Sequence, residues 1–210
     1  HSLSPNCSWS CHEFPLPPDF HGSWLLGISS GFSHPWQQHP ESMQTGIALV
    51  SIYLEQGDYQ AASSTAKRLQ RHFPNQPAVL KITGRAFMAN HQYANAEQVF
   101  GQLTRLQADS AEAWYDLGVA QMRQKSYQSS EQSIQTALTL QADYLPAQIV
   151  QTQLYLTNQR LDKALQSAGQ IQSKHPQYGS GYILEGHVYM QQKAYAKAAN
   201  AYQTAFDNSP

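Results

Sequence analysis

The segment AEAWYDLGVAQMRQKSYQSSEQSIQTALTLQADY, residues 111–144, decides the fold. Its apolar and small residues recur at helical spacing in two stretches, with a break near Lys125 and Ser126. A shift of 34 residues in either direction recovers the pattern without insertion or deletion. The resulting units are 43–76, 77–110, 111–144, 145–178 and 179–210. Five units in one register predict a tandem array of helical hairpins.

Two columns of the aligned units hold small residues, as close packing between two helices requires. The eighth column reads Val50, Gly84, Gly118, Thr152 and Gly186. The twentieth column reads Ala62, Ala96, Ser130, Ala164 and Ala198. We interpret these columns as the two faces that meet inside each hairpin. The eleventh and seventeenth columns are mostly aromatic, and we expect their side chains to fill the space between neighbouring hairpins.

This pattern resembles the tetratricopeptide repeat family, whose 34-residue unit consists of two antiparallel helices joined by a short turn. The third unit carries the family's signature residues Trp114, Leu117, Gly118, Tyr127 and Ala137. The resemblance covers residues 43–210 and implies an all-α fold, a right-handed superhelical solenoid of tandem helix-turn-helix repeats. The period predicts ten helices in five pairs, with turns near residues 57, 91, 125, 159 and 193. The fourth and fifth units depart from the family at Gln148, Gln151 and Glu185, where apolar residues are usual.

Residues 1–42 have a different composition and are treated as a separate, irregular segment. They contain no Lys or Arg and are rich in Pro, His and Trp. Candidate metal ligands are Cys7, Cys11, His12, His21, His34 and His39. Their spacing matches no strong zinc signature, so no metal site is assigned. The alternatives are an arm that binds a partner through Trp9, Trp24 and Trp36, or a foreign, poorly ordered sequence.

Composition and motifs narrow the classes of function. The formal net charge of -1 and the pI near 6.8 argue against nucleic-acid binding, which needs a basic surface. No apolar run is long enough to cross a bilayer. Residues 43–210 contain no Cys, phosphate-binding loop or H-E-x-x-H motif, and their four histidines lie in four different units. We therefore expect no enzyme activity, no cofactor and no metal.

The resemblance also implies where a partner binds. In this family the first helices of the units line a concave surface. The residues at the lining columns are Ile47, Ser51, Leu54, Lys81, Arg85, Met88, Tyr115, Val119, Met122, Arg123, Ile149, Gln153, Leu156, Ile183, His187 and Met190. Leu54, Met88, Met122, Leu156 and Met190 share a column close to the hairpin interface, so partial burial is an open alternative for them. The family's carboxylate clamp is not made, because Arg85, Pro146 and Val150 replace its Asn, Lys and Arg.

The function that we expect is a scaffold or adaptor that holds a protein or peptide partner in the concave groove. One alternative is the recognition domain of a larger enzyme, such as a glycosyltransferase, or of an exopolysaccharide secretion protein. The Gln-rich surface resembles bacterial repeat proteins of envelope assembly, which leaves cytoplasm and periplasm both open. The last predicted helix carries Ala199, Tyr202 and Phe206, which would meet a following repeat in an inner unit. We expect either that the native chain continues past Pro210 with further repeats or a capping helix, which is the favoured alternative, or that this face is a second interaction surface. The chain as given should then associate end to end.

Overall fold

The computed structural model describes residues 42–208, which fold into ten α-helices without a strand in that range. The helices are α1 (Met43–Glu55), α2 (Tyr59–His72), α3 (Pro77–Ala89), α4 (Tyr93–Leu106), α5 (Ala111–Arg123), α6 (Tyr127–Leu140), α7 (Leu145–Thr157), α8 (Leu161–Lys174), α9 (Ser180–Gln191) and α10 (Tyr195–Asp207). Each helix packs mainly against its neighbours in sequence. The predicted all-α helical repeat solenoid is confirmed. The candidate metal ligands and the tryptophans of the N-terminal segment lie outside the described residues.

Local sequence signals start several of these helices. The side chains of Ser42, Asp58 and Ser110 accept hydrogen bonds from backbone N–H groups in the first turns of α1, α2 and α5. Pro77 stands at the start of α3, where a missing N–H group costs nothing. None of the ten helices is long and apolar enough to cross a membrane.

All five hairpins close with the same backbone turn. In the second hairpin His91 has a φ of 57°, and its N–H donates to the carbonyl of Met88 at 3.1 Å. The N–H of Gln92 donates to the carbonyl of Phe87 at 2.8 Å, which completes a Schellman motif. The equivalent left-handed residues are Gly57, Lys125, Gln159 and Lys193. The turns therefore lie at the residues predicted from the 34-residue period.

The helices of a hairpin meet where a glycine of the first faces a large side chain of the second. A Cβ atom added to Gly118 would lie 2.7 Å from the Cδ1 atom of Ile134. The same conflict arises between Gly84 and Phe100 and between Gly186 and Tyr202. The Ser130 hydroxyl donates to the carbonyl of Gly118 at 2.7 Å, so the twentieth column also faces the eighth, as expected.

The remaining two hairpins reverse this size relationship. Val50 of α1 lies in one core cluster with Ala66 of α2, at the position that Phe100 and Ile134 occupy in the next two units. In the fourth hairpin Thr152 occupies the glycine position, Ala168 occupies the large position, and both are buried. At each crossing one helix therefore supplies the larger side chain and the other helix supplies a small residue, which keeps the interior closely packed.

The polar residues that depart from the family pattern are bonded locally. The side-chain amide of Gln148 donates to the carbonyl of Ala142 at 2.8 Å. The amide of Gln151 donates to the side-chain oxygen of Gln135 at 3.2 Å. Glu185 accepts a hydrogen bond of 2.7 Å from the amide of Gln172 across the boundary between the fourth and fifth units. The bonds of Gln151 and Glu185 join neighbouring helices, and that of Gln148 joins α7 to the connection before it, where apolar contact is usual.

The aromatic residues of the seventeenth column do not all fill space between hairpins as expected. Tyr59 and Tyr195 are 43% and 61% exposed, whereas Tyr93 and Tyr127 are half-buried. Each of these tyrosines is the first residue of a second helix, beside the turn, where the neighbouring helices leave its ring partly uncovered.

Candidate functional site

The predicted lining residues differ widely in exposure. Those exposed to solvent are Arg85, Arg123, Ile183, His187 and Met190. Those half-buried are Ile47, Ser51, Leu54, Lys81, Met88, Tyr115, Val119, Met122, Ile149 and Gln153. Leu156 is 7% exposed and packs in the core cluster that joins α7, α8 and α9. Leu156 and Met190 belong to the same column of the repeat, the one close to the hairpin interface. Within that column the exposed fraction of the residue thus ranges from 7% at Leu156 to 46% at Met190.

Five of the predicted residues meet in one open pocket of about 650 Å³, which we call the central groove. These five are Arg85, Met88, Tyr115, Val119 and Arg123. The remaining lining residues are Tyr59, Ala89, His91, Tyr93, Phe100 and Asp116. The central groove therefore combines apolar, aromatic and charged side chains from the first three units.

Helix spacing explains why the groove opens at this place. The backbones of α1 and α3 approach each other closely, and so do those of α7 and α9. The backbones of α3 and α5 have fewer close approaches than either of those pairs. The facing side chains of α3 and α5 are correspondingly left partly uncovered.

An acidic residue outside the predicted lining pairs with two of the predicted basic residues. Glu112 of α5 contacts the ammonium group of Lys81 at 2.6 Å and the guanidinium group of Arg85 at 3.2 Å. All three side chains are substantially exposed, so each ion pair contributes little to stability. The single negative charge of Glu112 offsets part of the positive charge that Lys81 and Arg85 place beside the groove.

The most unusual group of the groove is Asp116. Its Oδ2 atom is buried and has no hydrogen-bond partner within residues 42–208. Burial raises the pKa of this carboxyl group to about 6, and the nearby charge of Arg85 opposes the rise. In the other units the same column holds Ala48, Ile82, Val150 and Leu184. A carboxylate thus stands at a position where the array otherwise places an apolar side chain.

Aromatic groups frame the groove on two sides. The Tyr115 ring packs edge-on against Tyr144, with centroids 5.5 Å apart, and burial raises the pKa of the Tyr115 hydroxyl. On the other side, the Nδ1 atom of His91 lies 2.7 Å from the hydroxyl of Tyr93. These two contacts hold the rings of Tyr115 and Tyr93 in place beside the groove.

A second exposed stripe lies on α9. Ile183, His187 and Met190 follow one another at helical spacing and are all exposed. The His187 ring packs against Tyr202 of α10, with centroids 5.9 Å apart. This stripe is a continuation of the first-helix surface and is more apolar than the central groove.

The sequence analysis missed lining residues that do not belong to first helices. Tyr59 and Tyr93 begin second helices and His91 is a turn residue, whereas the lining was assigned to first-helix columns only. Asp116 and Glu112 could have been found from the sequence. Asp116 is the acid in an apolar column, and Glu112 begins α5 near the two basic residues of α3.

Comparisons with known proteins agree with this architecture. A family model of the tetratricopeptide repeat matches residues 47–90, 83–144 and 151–210. No curated protein matches the sequence. In this family the repeat fold is typically a scaffold for protein interactions rather than a catalytic domain.

Solved structures of similar architecture include a crystal structure of MamA, with 22% identity and a TM-score of 0.66 over 80% of this chain and 92% of that one. YrrB, described as a tetratricopeptide repeat protein with an unusual peptide-binding site, has 15% identity and a TM-score of 0.60 over 87% and 94%. A thermophilic repeat protein of Thermus thermophilus has 16% identity and a TM-score of 0.67 over 80% and 92%. These likenesses concern the fold alone. Because the family model matches most of the chain, the chain belongs to the tetratricopeptide repeat family.

Proposed function

We propose that the protein is an interaction scaffold that binds a peptide or a helix of a partner protein along its first-helix surface, with the central groove as the main contact. The observation that carries the proposal is the open pocket of about 650 Å³ between α3 and α5. Its apolar, aromatic and charged lining matches the composition of protein interfaces, in which Tyr, Met and Arg are enriched. Most of the predicted lining residues are exposed or half-buried and would contribute to this surface.

The shape of the groove favours a segment of chain over a small molecule. Small-molecule sites enclose most of their ligand, whereas the central groove is open along one side. Met88, Val119 and Tyr115 offer apolar area, and methionine adapts its shape to varied partners. The likeness to YrrB, whose description includes a peptide-binding site, is consistent with this use of the fold.

A pull-down with the full chain tests the proposed function. Val119→Glu places a charge within the groove, and we expect it to remove at least one bound protein that mass spectrometry identifies with the unaltered chain. Gln132→Glu introduces the same side chain on the exposed surface of α6 and outside the groove, so it should retain that protein. If both variants capture the same proteins as the unaltered chain, the central groove is not the binding surface.

Self-association through α10 is a second proposal, supported by Phe206, which is 77% exposed. In the fourth unit the equivalent residue is Gln172, which packs against Gly181 at the start of α9. Phe206 thus lies where an inner unit contacts the following one. The Tyr202 ring instead fills the space over Gly186 in its own hairpin, so Phe206 is more exposed than either of the other aromatic residues of α10, Tyr195 and Tyr202. A second copy of the chain is the occupant we propose.

Sedimentation over a concentration series checks this proposal. We expect the unaltered chain to form dimers or larger species at high concentration and Phe206→Glu to stay monomeric, because a charge on this face opposes apolar contact. Gln128→Glu, at an exposed site of α6, is the control for added charge. A chain that is monomeric at every concentration would contradict self-association.

A further inference from the structure

The charges along one face of α5 define an order that a bound segment must match. Asp116, Val119 and Arg123 all line the central groove and follow one another at helical spacing. Asp116 and Arg123 are seven residues apart, so their backbone positions are separated by about 10.5 Å along the helix axis. An acidic group and a basic group therefore lie on either side of Val119 along the helix, and Tyr115 lies beyond Asp116.

The acidic end has cations nearby but no direct ion pair. The charges of Lys81 and Arg85 of α3 act on Asp116, yet both side chains contact Glu112 and not the Asp116 carboxylate. Asp116 has no ion pair within residues 42–208, and its Oδ2 atom has no hydrogen-bond partner there. A buried carboxylate oxygen without a donor is costly, so a donor supplied by a ligand gains more here than on an open surface.

Access to Asp116 comes from the groove. The side chain lines the central groove and also a smaller pocket of about 280 Å³ beside Lys81 and Glu112. The last side-chain torsion of an aspartate has a broad preference, so a modest turn of the carboxylate brings an oxygen towards a ligand in the groove. The titratable and charged groups around it are Glu112 and Tyr115 on α5 and Lys81 and Arg85 on α3.

The basic end is available as well. The Arg123 side chain is exposed, lines the groove, and forms no ion pair or hydrogen bond with another side chain of the described range. His91 lines the same pocket, but its ring contacts the Tyr93 hydroxyl and not Arg123. A free guanidinium group at a groove favours a carboxylate partner, which it can bind through two parallel hydrogen bonds.

We infer that the segment bound in the central groove carries a basic side chain that meets Asp116, an apolar side chain over Val119, and an acidic side chain that meets Arg123. This inference rests on the proposed function and adds the chemistry of the partner to it. It differs from the family's carboxylate clamp, because the groove recognises both signs of charge in a fixed order. Opposite charges placed in register give specificity more than raw affinity.

Four short peptides of one design test the inference. In the extended peptide acetyl-Arg-Ser-Leu-Ser-Glu-amide the two charged side chains and the Leu lie on one face, with the ends about 13 Å apart. The flexible end groups bridge the small difference from the spacing on α5. The comparison peptides carry Glu at both ends, Arg at both ends, or Gln at both ends. Each is titrated into the ¹⁵N-labelled full chain at low ionic strength, and the amide shifts of groove residues report binding.

The mixed-charge peptide should bind about three- to tenfold more tightly than each of the other three, the range expected for two exposed ion pairs. In Asp116→Asn the mixed-charge peptide should no longer bind more tightly than the doubly acidic peptide. In Arg123→Gln it should no longer bind more tightly than the doubly basic peptide. Gln132→Glu should change neither. The spectrum of each variant shows directly that it is folded.

The other outcomes distinguish a wrong charge order from a failure of the proposed function itself. If all four peptides shift groove resonances with equal affinity, or the doubly acidic peptide binds most tightly, the inferred charge order is wrong and the proposed function stands. If none of the four shifts a groove resonance at about 10 mM peptide, a concentration well above the Kd of weak peptide complexes, the proposed function fails together with the inference.

Discussion

Gly118→Val is expected to destabilise the protein by about 1–3 kcal/mol, the usual cost of overpacking a core. A Cβ atom at this position would lie 2.7 Å from Ile134 Cδ1 and 2.8 Å from its Cγ1 atom. Because each unit of a linear array is stabilised by its neighbours, a defect in the third unit should lower the stability of units on both sides. Thermal and urea unfolding followed by circular dichroism measure this change.

The same crossing offers a rescue that identifies the cause. Ile134→Ala alone removes a fully buried side chain and should cost about 2–5 kcal/mol. The double variant Gly118→Val with Ile134→Ala reproduces the Val50 and Ala66 pair of the first hairpin, so we expect it to be more stable than either single variant. A Cβ atom at Gly169 meets no atom within 4 Å, and Gly169→Ala should therefore stabilise its helix slightly. Additive effects of the two substitutions at the crossing would contradict this packing.

Asp116→Asn is expected to stabilise the protein at neutral pH and to have little effect near pH 4. Burial raises the pKa of Asp116 from 3.8 to about 6 in the folded protein. Below pH 3.8 the carboxyl group is protonated in both the folded and the unfolded chain, so its titration does not change stability. Between pH 3.8 and about 6 the folded chain binds more protons than the unfolded chain, and the free energy of unfolding falls as pH rises.

A neutral Asn avoids this loss. The shifted pKa corresponds to a gain of at most about 3 kcal/mol for the variant above pH 6. Urea unfolding at several pH values between about 4 and 8 measures the difference in free energy of unfolding between the two proteins. All other titrating groups are the same in both proteins, so their contributions cancel in this difference. A difference between the two proteins that stays constant over this range would show that Asp116 titrates normally and is not buried as described.

The sequence was sufficient for the fold because one period repeats without interruption. Five units in register predicted the helices and placed the turns, even though Lys125 and Gln159 are not typical residues for a left-handed backbone. The conformation there is imposed by the two helices that the turn joins. Local turn signals alone would have identified Gly57 and missed the other four.

Packing between columns was only partly predictable. The small residues of the eighth column indicated a helix crossing, yet the column that faces it, with Ala66, Phe100 and Ile134 among its members, looks variable. This variation is explained when each residue is compared with the residue of the eighth column that it contacts. The sequence of one column alone does not show which residues of another column it contacts.

The position of the candidate surface was predictable from the sequence, but the pairing of its charged side chains was not. First-helix columns indicated Arg85, Val119 and Arg123, all of which line the central groove. The pairing of Lys81 and Arg85 with Glu112 depends on the distance between α3 and α5, which repeat periodicity does not determine. The lining by Tyr59 and Tyr93 depends on how far their rings remain uncovered beside the turns.

Site-specific photo-crosslinking tests most directly whether partners bind in the groove. A benzophenone amino acid is placed at Ala89, which lines the central groove without taking part in the inferred charge pairs, or at Gln132, on the exposed surface of α6. The full chain is then irradiated in extract of the cells that naturally produce it. We expect a covalent adduct with a partner protein from position 89 and none from position 132. Adducts from position 132 alone would contradict it.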